Sequence, residues 1–159
     1  IQPDDTADSL SKRLSLLGRD TLLSVLPRII NGNLEARQQP EEGATYASML
    51  KKEDGHLDWS ASAEVLERKV RAFNDWPGTF TFWKGQMLKV RSAKVVPGKG
   101  SNAGKHFIHQ SAPAVLTGEG GLVLLEVQPA GKKWMSGRDF LNGNADWESF
   151  SATGDTFID

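Results

Sequence analysis

Residues 124–141 read LLEVQPAGKKWMSGRDFL, and this stretch narrows the possible folds more than any other. The apolar run from Leu122 to Val127 has the length and composition of a buried strand. It ends at Gln128-Pro129-Ala130-Gly131, where proline removes a ladder donor and glycine admits left-handed backbone. Lys132-Lys133 follow, and Ser136 opens a short helical pattern that Asn142-Gly143 stops. Strand, tight turn, basic loop and short helix must therefore succeed one another. Nothing in the stretch is a nucleophile, a metal cage or a phosphate loop. A basic loop at the mouth of a small β structure points to binding rather than to bond-making.

The rest of the chain supplies that β structure. Residues 79–84 and 87–96 read as strands joined at Gly85-Gln86, and the second alternates Leu88 and Val90 with Lys89 and Arg91, one face apolar and one basic. Residues 106–117 and 121–128 read as two further strands joined through Gly118-Glu119-Gly120-Gly121. Pro97 to Lys105 is a glycine-, serine- and asparagine-rich loop, expected to be mobile. A helix over about 61–73, capped by Ser60 or Ser62, presents Leu66, Val70 and Phe73 to a core and ends at Asn74-Asp75-Trp76-Pro77-Gly78. Short strands, turn signals and one embedded helix predict an α+β, mainly β domain over 48–159, built as a small, partly open OB-like β-barrel. Before it, residues 33–47 read as a polar linker. Residues 1–32 read as two helices, the first carrying Leu10, Leu14 and Leu17, the second Leu22, Val25, Leu26, Ile29 and Ile30, with Gly18 as the interruption. Those stripes pack either on the rest of this chain or on further polypeptide; left bare, they would drive self-association. Residues 144–159 suggest no element.

Composition removes several classes of function. With no cysteine among 159 residues there is no disulfide framework, thiolate metal site or cysteine nucleophile. No apolar run approaches the roughly 18 residues of a membrane span. His106 and His109, three apart in one strand, point to opposite faces and cannot share a metal. The 118–121 glycines lie between two strands rather than before a helix, so they make a hairpin and not a phosphate cradle. Asp54 and Asp58 have no partner for acid–base work. Of the five tryptophans, Trp59 and Trp76 read as core, while Trp134, after the lysine pair, reads as exposed and able to stack on a base. The net charge of -1 hides a pattern: residues 46–110 hold eleven Lys/Arg against six Asp/Glu, a balance of +5, flanked by acidic ends. A concentrated positive field is the usual footprint of a polyanionic partner, although a solvated charged surface has the same composition.

Two long motifs, LDWSASAEVLERKVRAFNDWPG at 57–78 and LLEVQPAGKKWMSGRDFLNG at 124–143, together resemble the C-terminal region of the methionyl-tRNA formyltransferases. The stretch DTADSLSKRLSLLGRDTLLSVLPRIINGN resembles the last helices of their formyltransferase domain, and ATYASMLKKEDG resembles their interdomain linker, whose lysine falls on Lys52. The likeness covers nearly the whole chain except about 97–113. Asp75 stands where the family commonly has proline, and Trp134 is unexpected after Lys132-Lys133. Folate-linked formyl hydrolases and amino-sugar formyltransferases share the architecture. The resemblance implies formyl transfer from 10-formyltetrahydrofolate to methionyl initiator tRNA, at the start of protein biosynthesis, in the cytoplasm or in the matrix of a eukaryotic organelle. It implies that the catalytic Asn, His and Asp and the folate site lie on an N-terminal Rossmann-like domain preceding this chain. No catalytic residue, metal or cofactor is then expected here, and the chain alone is expected to be inactive.

What the residues themselves offer is phosphate contact. Lys51, Lys52, Lys89, Arg91, Lys132 and Lys133 are expected to face RNA, with Arg68 and Arg71 behind them, although Arg68, Lys69 and Arg71 also suit the negative end of their own helix. Such cations bind backbone without reading sequence, so the expected affinity is salt-sensitive and largely nonspecific.

Overall fold

The computed structural model describes residues 1–98 and 102–149. The expectation of a mobile loop therefore falls partly outside the described residues, as does most of the stretch left without an element.

Residues 7–30 form one helix, α1 (Ala7–Ile30), and not two. Thr6 and Ser9 cap its start reciprocally, each side-chain oxygen accepting from the other's backbone N–H at 3.2 and 3.0 Å. Arg13 grips Asp5 through two hydrogen bonds of 2.8 and 2.7 Å, adding a second tether one turn further on. Gly18 does not interrupt it, because a mid-helix glycine costs only about 1 kcal/mol and a Cβ there would meet nothing within 4 Å, so no close approach forces a break. Residues 31–48 are exposed and without regular structure.

The sheet module begins with a single 3-10 turn, Glu53–Gly55, and then α2 (Ala63–Ala72). Ser62 caps α2, its hydroxyl accepting from Val65 N–H, while Ser60 is engaged with Asp58. Strands β1 (Thr79–Trp83) and β2 (Gln86–Val96) form a hairpin through Lys84 and Gly85, both at positive φ as a tight two-residue turn demands. The stretch 106–117 is not one strand. It folds back on itself as β3 (His106–His109) and β4 (Ala112–Leu116) through Gln110 and Ser111, with φ of 48° and 66°. Then come β5 (Gly121–Pro129), the short β6 (Met135–Ser136), α3 (Gly137–Asn142) and a last 3-10 turn at Trp147–Ser149. The sheet is antiparallel and open, in the order β1-β2-β5-β4-β3, with β6 against β5. With α2 and α3 packed on it, the class is α+β.

Two compensating irregularities bend the central pair. Val90 faces Val127 and Ser92 faces Glu126, so Arg91 is an extra residue on β2; Ala93 then faces Leu124, so Leu125 is the extra residue on β5. The main core lies under α2 and includes Leu66, Val70, Leu88, Leu122, Leu124 and Trp147. Trp147 is wholly buried and donates its ring N–H to the carbonyls of Phe107 and Ala114 at 3.0 and 3.1 Å. His106 stacks on it at 3.9 Å. Trp59 is core, as expected, with its ring N–H on the Thr81 hydroxyl. Trp76 is not: it is 52% exposed, carried on the turn that the Gly78 N–H closes on the Phe73 carbonyl.

The 118–121 glycines make the β4–β5 connection and also lock it to the entry of α2. Gly118 donates to the Trp59 and Ala61 carbonyls, each at 2.9 Å, and a β-carbon there would sit 1.9 Å from the Ser60 carbonyl oxygen.

Candidate nucleic-acid interface

Residues paired across an antiparallel ladder share a face. The β1–β2 register sets Phe80 against Lys89 and Phe82 against Met87, and the β2–β5 register sets Lys89 against Gln128. Leu88 and Val90 turn inward and Lys89 turns out. The outer face of β1, β2 and β5 therefore mixes aromatic, thioether, amide and ammonium groups. His56, bridged to β1 at Phe80, brings its imidazole 5.5 Å from the Phe80 ring and 5.9 Å from that of Phe82.

A shallow pocket of about 210 Å³ opens at the end of this face, between Met87, Lys89, Gln128, the Pro129–Gly131 turn and Lys132. The turn is firmly made. Lys132 N–H donates to the Pro129 carbonyl at 3.0 Å, the Gln128 side-chain amide donates to the Lys132 carbonyl at 2.8 Å, and Gly131 takes φ of 70°. Lys89, Lys132 and Lys133 are exposed, and none forms an ion pair among the described residues.

Arg91 differs from these lysines. The bulge re-aims its side chain along the sheet, where its guanidinium pairs with the Glu126 carboxylate and lies 4.7 Å from the centre of the Trp134 ring. The hydrogen bonds it donates to the Glu126 carboxylate push its pKa further up, so the charge is permanent but already answered. Trp134 is accordingly half-buried rather than open.

The remaining candidates lie elsewhere. Lys51 and Lys52 are exposed where the 3-10 turn begins, the Lys51 backbone N–H donating to Asp54. Arg68 and Arg71 line a second pocket, about 520 Å³, against residues 1–10. Arg71 there is used structurally, donating to Glu67 and to the Asp5 carbonyl, each at 2.7 Å, whereas Arg68 is exposed. The eight residues thus fall into three groups; of them Lys89 and Lys132 line the 210 Å³ pocket, with Lys133 next to Lys132 and Arg91 two residues beyond Lys89 in sequence.

Several participants are not evident in the sequence. Lys69 donates to the His56 carbonyl at 2.7 Å, and burial lowers its pKa. Burial and then the nearby Lys69 charge lower that of His56, so this imidazole is neutral at physiological pH and adds no cation to the face. Met87, Phe82 and Gln128 join the site only through register. Continuing the alternation of TFTFW into QMLKV across a two-residue turn is the signal that would have found them. Among the described residues no group of three or more histidines or carboxylates could hold a metal, and no helix is long and apolar enough to cross a membrane.

The family model described as "Formyl transferase, C-terminal domain" matches residues 49–145. A methionyl-tRNA formyltransferase of Chloroflexus aurantiacus is 44% identical over 146 residues, covering 90% of this chain and 47% of that protein. One from Myxococcus xanthus is 41% identical over 144 residues, covering 91% and 46%. The chain spans about half the length of the curated relatives it matches. Among solved structures, HypX from Aquifex aeolicus superposes with a TM-score of 0.57 over 80% of this chain and 23% of its own, at 16% identity, a likeness of fold alone. A second structure of HypX, with a TM-score of 0.53, is a complex with tetrahydrofolic acid. The residues described here do not suit a folate. The roomier pocket has one sheltered carboxylate, Asp5, and its oxygens are already taken by Arg13, Ser9 and the Gln2 N–H. No step is therefore derived through that group.

Proposed function

From the premise that this chain belongs to the formyl transferase C-terminal domain family, we propose that it is the C-terminal portion of a methionyl-tRNA formyltransferase and that it holds initiator tRNA by the phosphate backbone. The observation that carries the reading is the 44% identity extending over 90% of the chain. Residues 1–32 would close the formyltransferase domain, 33–47 would link, and 48–159 would form the OB-like tRNA-binding domain. The exposed leucines of α1, Leu14, Leu17 and Leu23 among them, support the first of these assignments, since such a helix needs a covering body.

In this reading, formyl transfer from 10-formyltetrahydrofolate to the methionyl amine is the work of a preceding formyltransferase domain. The contribution of this half is electrostatic: ammonium groups displace counterions from RNA phosphates, and affinity falls as salt rises. Lys89, Lys132 and Lys133 carry most of it, with Lys51, Lys52 and Arg68 as outlying contacts. Arg71 and Arg91, already partnered, contribute less.

Titration of labelled initiator tRNA into the purified chain at increasing salt tests this. Micromolar or tighter binding at low salt that weakens steeply is expected, and the Lys132→Ala, Lys133→Ala double variant should bind every RNA more weakly. A chain that does not bind tRNA at low salt would instead be a buttress for the neighbouring domain.

A further inference from the structure

Resting on the RNA-binding reading, we infer that the 210 Å³ pocket at the β2–β5 end is a seat for one nucleotide unit of the RNA backbone, with a phosphate held between Lys89 and Lys132 and its ribose against Met87 and Pro129. Three features separate it from a scatter of surface charge. The first is convergence: two lysines 43 positions apart in sequence, as their numbers give, line one concavity, one from β2 and one from the turn after β5. The second is composition. Met87 is 38% exposed on the outer face, and Pro129 and Ala130 line the concavity with it, so the pocket has an apolar wall that a bare anion would not use and a sugar ring would.

The third feature is rigidity. Ordering a flexible loop at the moment of binding costs affinity, and here the ordering is already done. Gln128, Gly131 and the Lys132–Pro129 hydrogen bond fix the turn. On its far side Trp134 is clamped beneath Arg91, which Glu126 holds in place. Arg91 is thus a positioning residue: it sets the path of the Lys132-Lys133 segment and does not take a phosphate itself.

The experiment is tRNA affinity measured as a function of salt on the full chain, with an initiator tRNA transcript as the probe. Lys89→Ala and Lys132→Ala should each weaken binding and flatten the slope of log affinity against log salt, and the double variant should flatten it by about 0.7–0.9 in all, the value of the one phosphate they share. Met87→Ala should weaken binding about fivefold at every salt concentration with the slope unchanged, the mark of an apolar contact. Arg91→Ala should weaken binding with the slope unchanged and shift the Trp134 indole resonance, and Arg91→Lys, which keeps the charge but loses the planar stack, should not restore affinity. All four positions are at the surface, so unfolding temperatures should match that of the parent chain. Binding by the parent chain with slopes unmoved by Lys89→Ala and Lys132→Ala, or with no effect of Met87→Ala, overturns the seat while leaving RNA binding intact. A slope reduced by Arg91→Ala makes that residue a phosphate contact and overturns its positioning role. No binding by the parent chain overturns both this site and the reading beneath it.

Discussion

Helix α1 spans 24 residues and buries none of them, while the ten residues of α2 bury Ala63, Leu66 and Val70 against the sheet. The two helices rest on different physics. α1 is held by what its own sequence supplies: the Thr6–Ser9 box, the Asp5–Arg13 pair and a Lys12–Asp8 bridge one turn apart. Local terms of this size leave an isolated helix marginal in water. α2 is short enough to melt alone and is stabilised almost wholly by the core it covers. Within one chain, then, one helix is finished and the other, with Leu17 and Leu23 each 62% exposed, is waiting for a surface.

The largest test of that contrast is Trp147→Ala. Removing a wholly buried indole that satisfies two carbonyls should cost about 3–5 kcal/mol in denaturant unfolding of the sheet module. Acid gives the next effect. Burial lowers the His106 pKa to about 4 from 6.5, so the unfolded chain binds the proton first. The stability due to neutral His106 is complete above pH 6.5 and is lost progressively towards pH 4, by roughly 2–3 kcal/mol. Unfolding curves recorded between those values should show the slope, and His106→Gln should flatten it. Gly118→Ala follows, at about 2 kcal/mol, because its methyl would meet the Ser60 carbonyl rather than a yielding side chain. The smallest effect lies at the other end of the comparison. Leu17→Ala should change stability by less than about 0.5 kcal/mol, and deleting residues 1–48 should leave the melting temperature of the remainder nearly unchanged. A large loss from either change would mean that α1 is already packed on this chain.

Legibility in the sequence followed the same division. Where a residue's chemistry acts locally, it was readable: a serine cap narrowed to Ser60 or Ser62, Pro77-Gly78 as a stop, Gly118 to Gly121 as a connection, Leu88 and Val90 opposed to Lys89. Where structure depends on distant partners, it was not. Gln110-Ser111 contains no glycine or asparagine to advertise a turn, and only the pairing of His109 with Ala112 creates it. Gly18 suggested a break that its open surroundings do not require. Trp76 and Trp147 are the same residue type with opposite fates: one is carried on an exposed turn, the other is set between the carbonyls of β3 and β4. The site divided likewise. Its lysines were visible as charges, but the pocket joining Lys89 to Lys132 depends on the β2–β5 register, and the engagement of Arg91 depends on a bulge that no local pattern announces.

Trp147 also bears on how the protein is made. The carbonyls it caps belong to residues 33 and 40 positions earlier. During synthesis those strands leave the ribosome with their end unplugged and must wait for the indole to arrive. The module therefore completes itself in one late step, and a nascent chain stalled ahead of that tryptophan would present chaperones with an assembled but unsealed sheet.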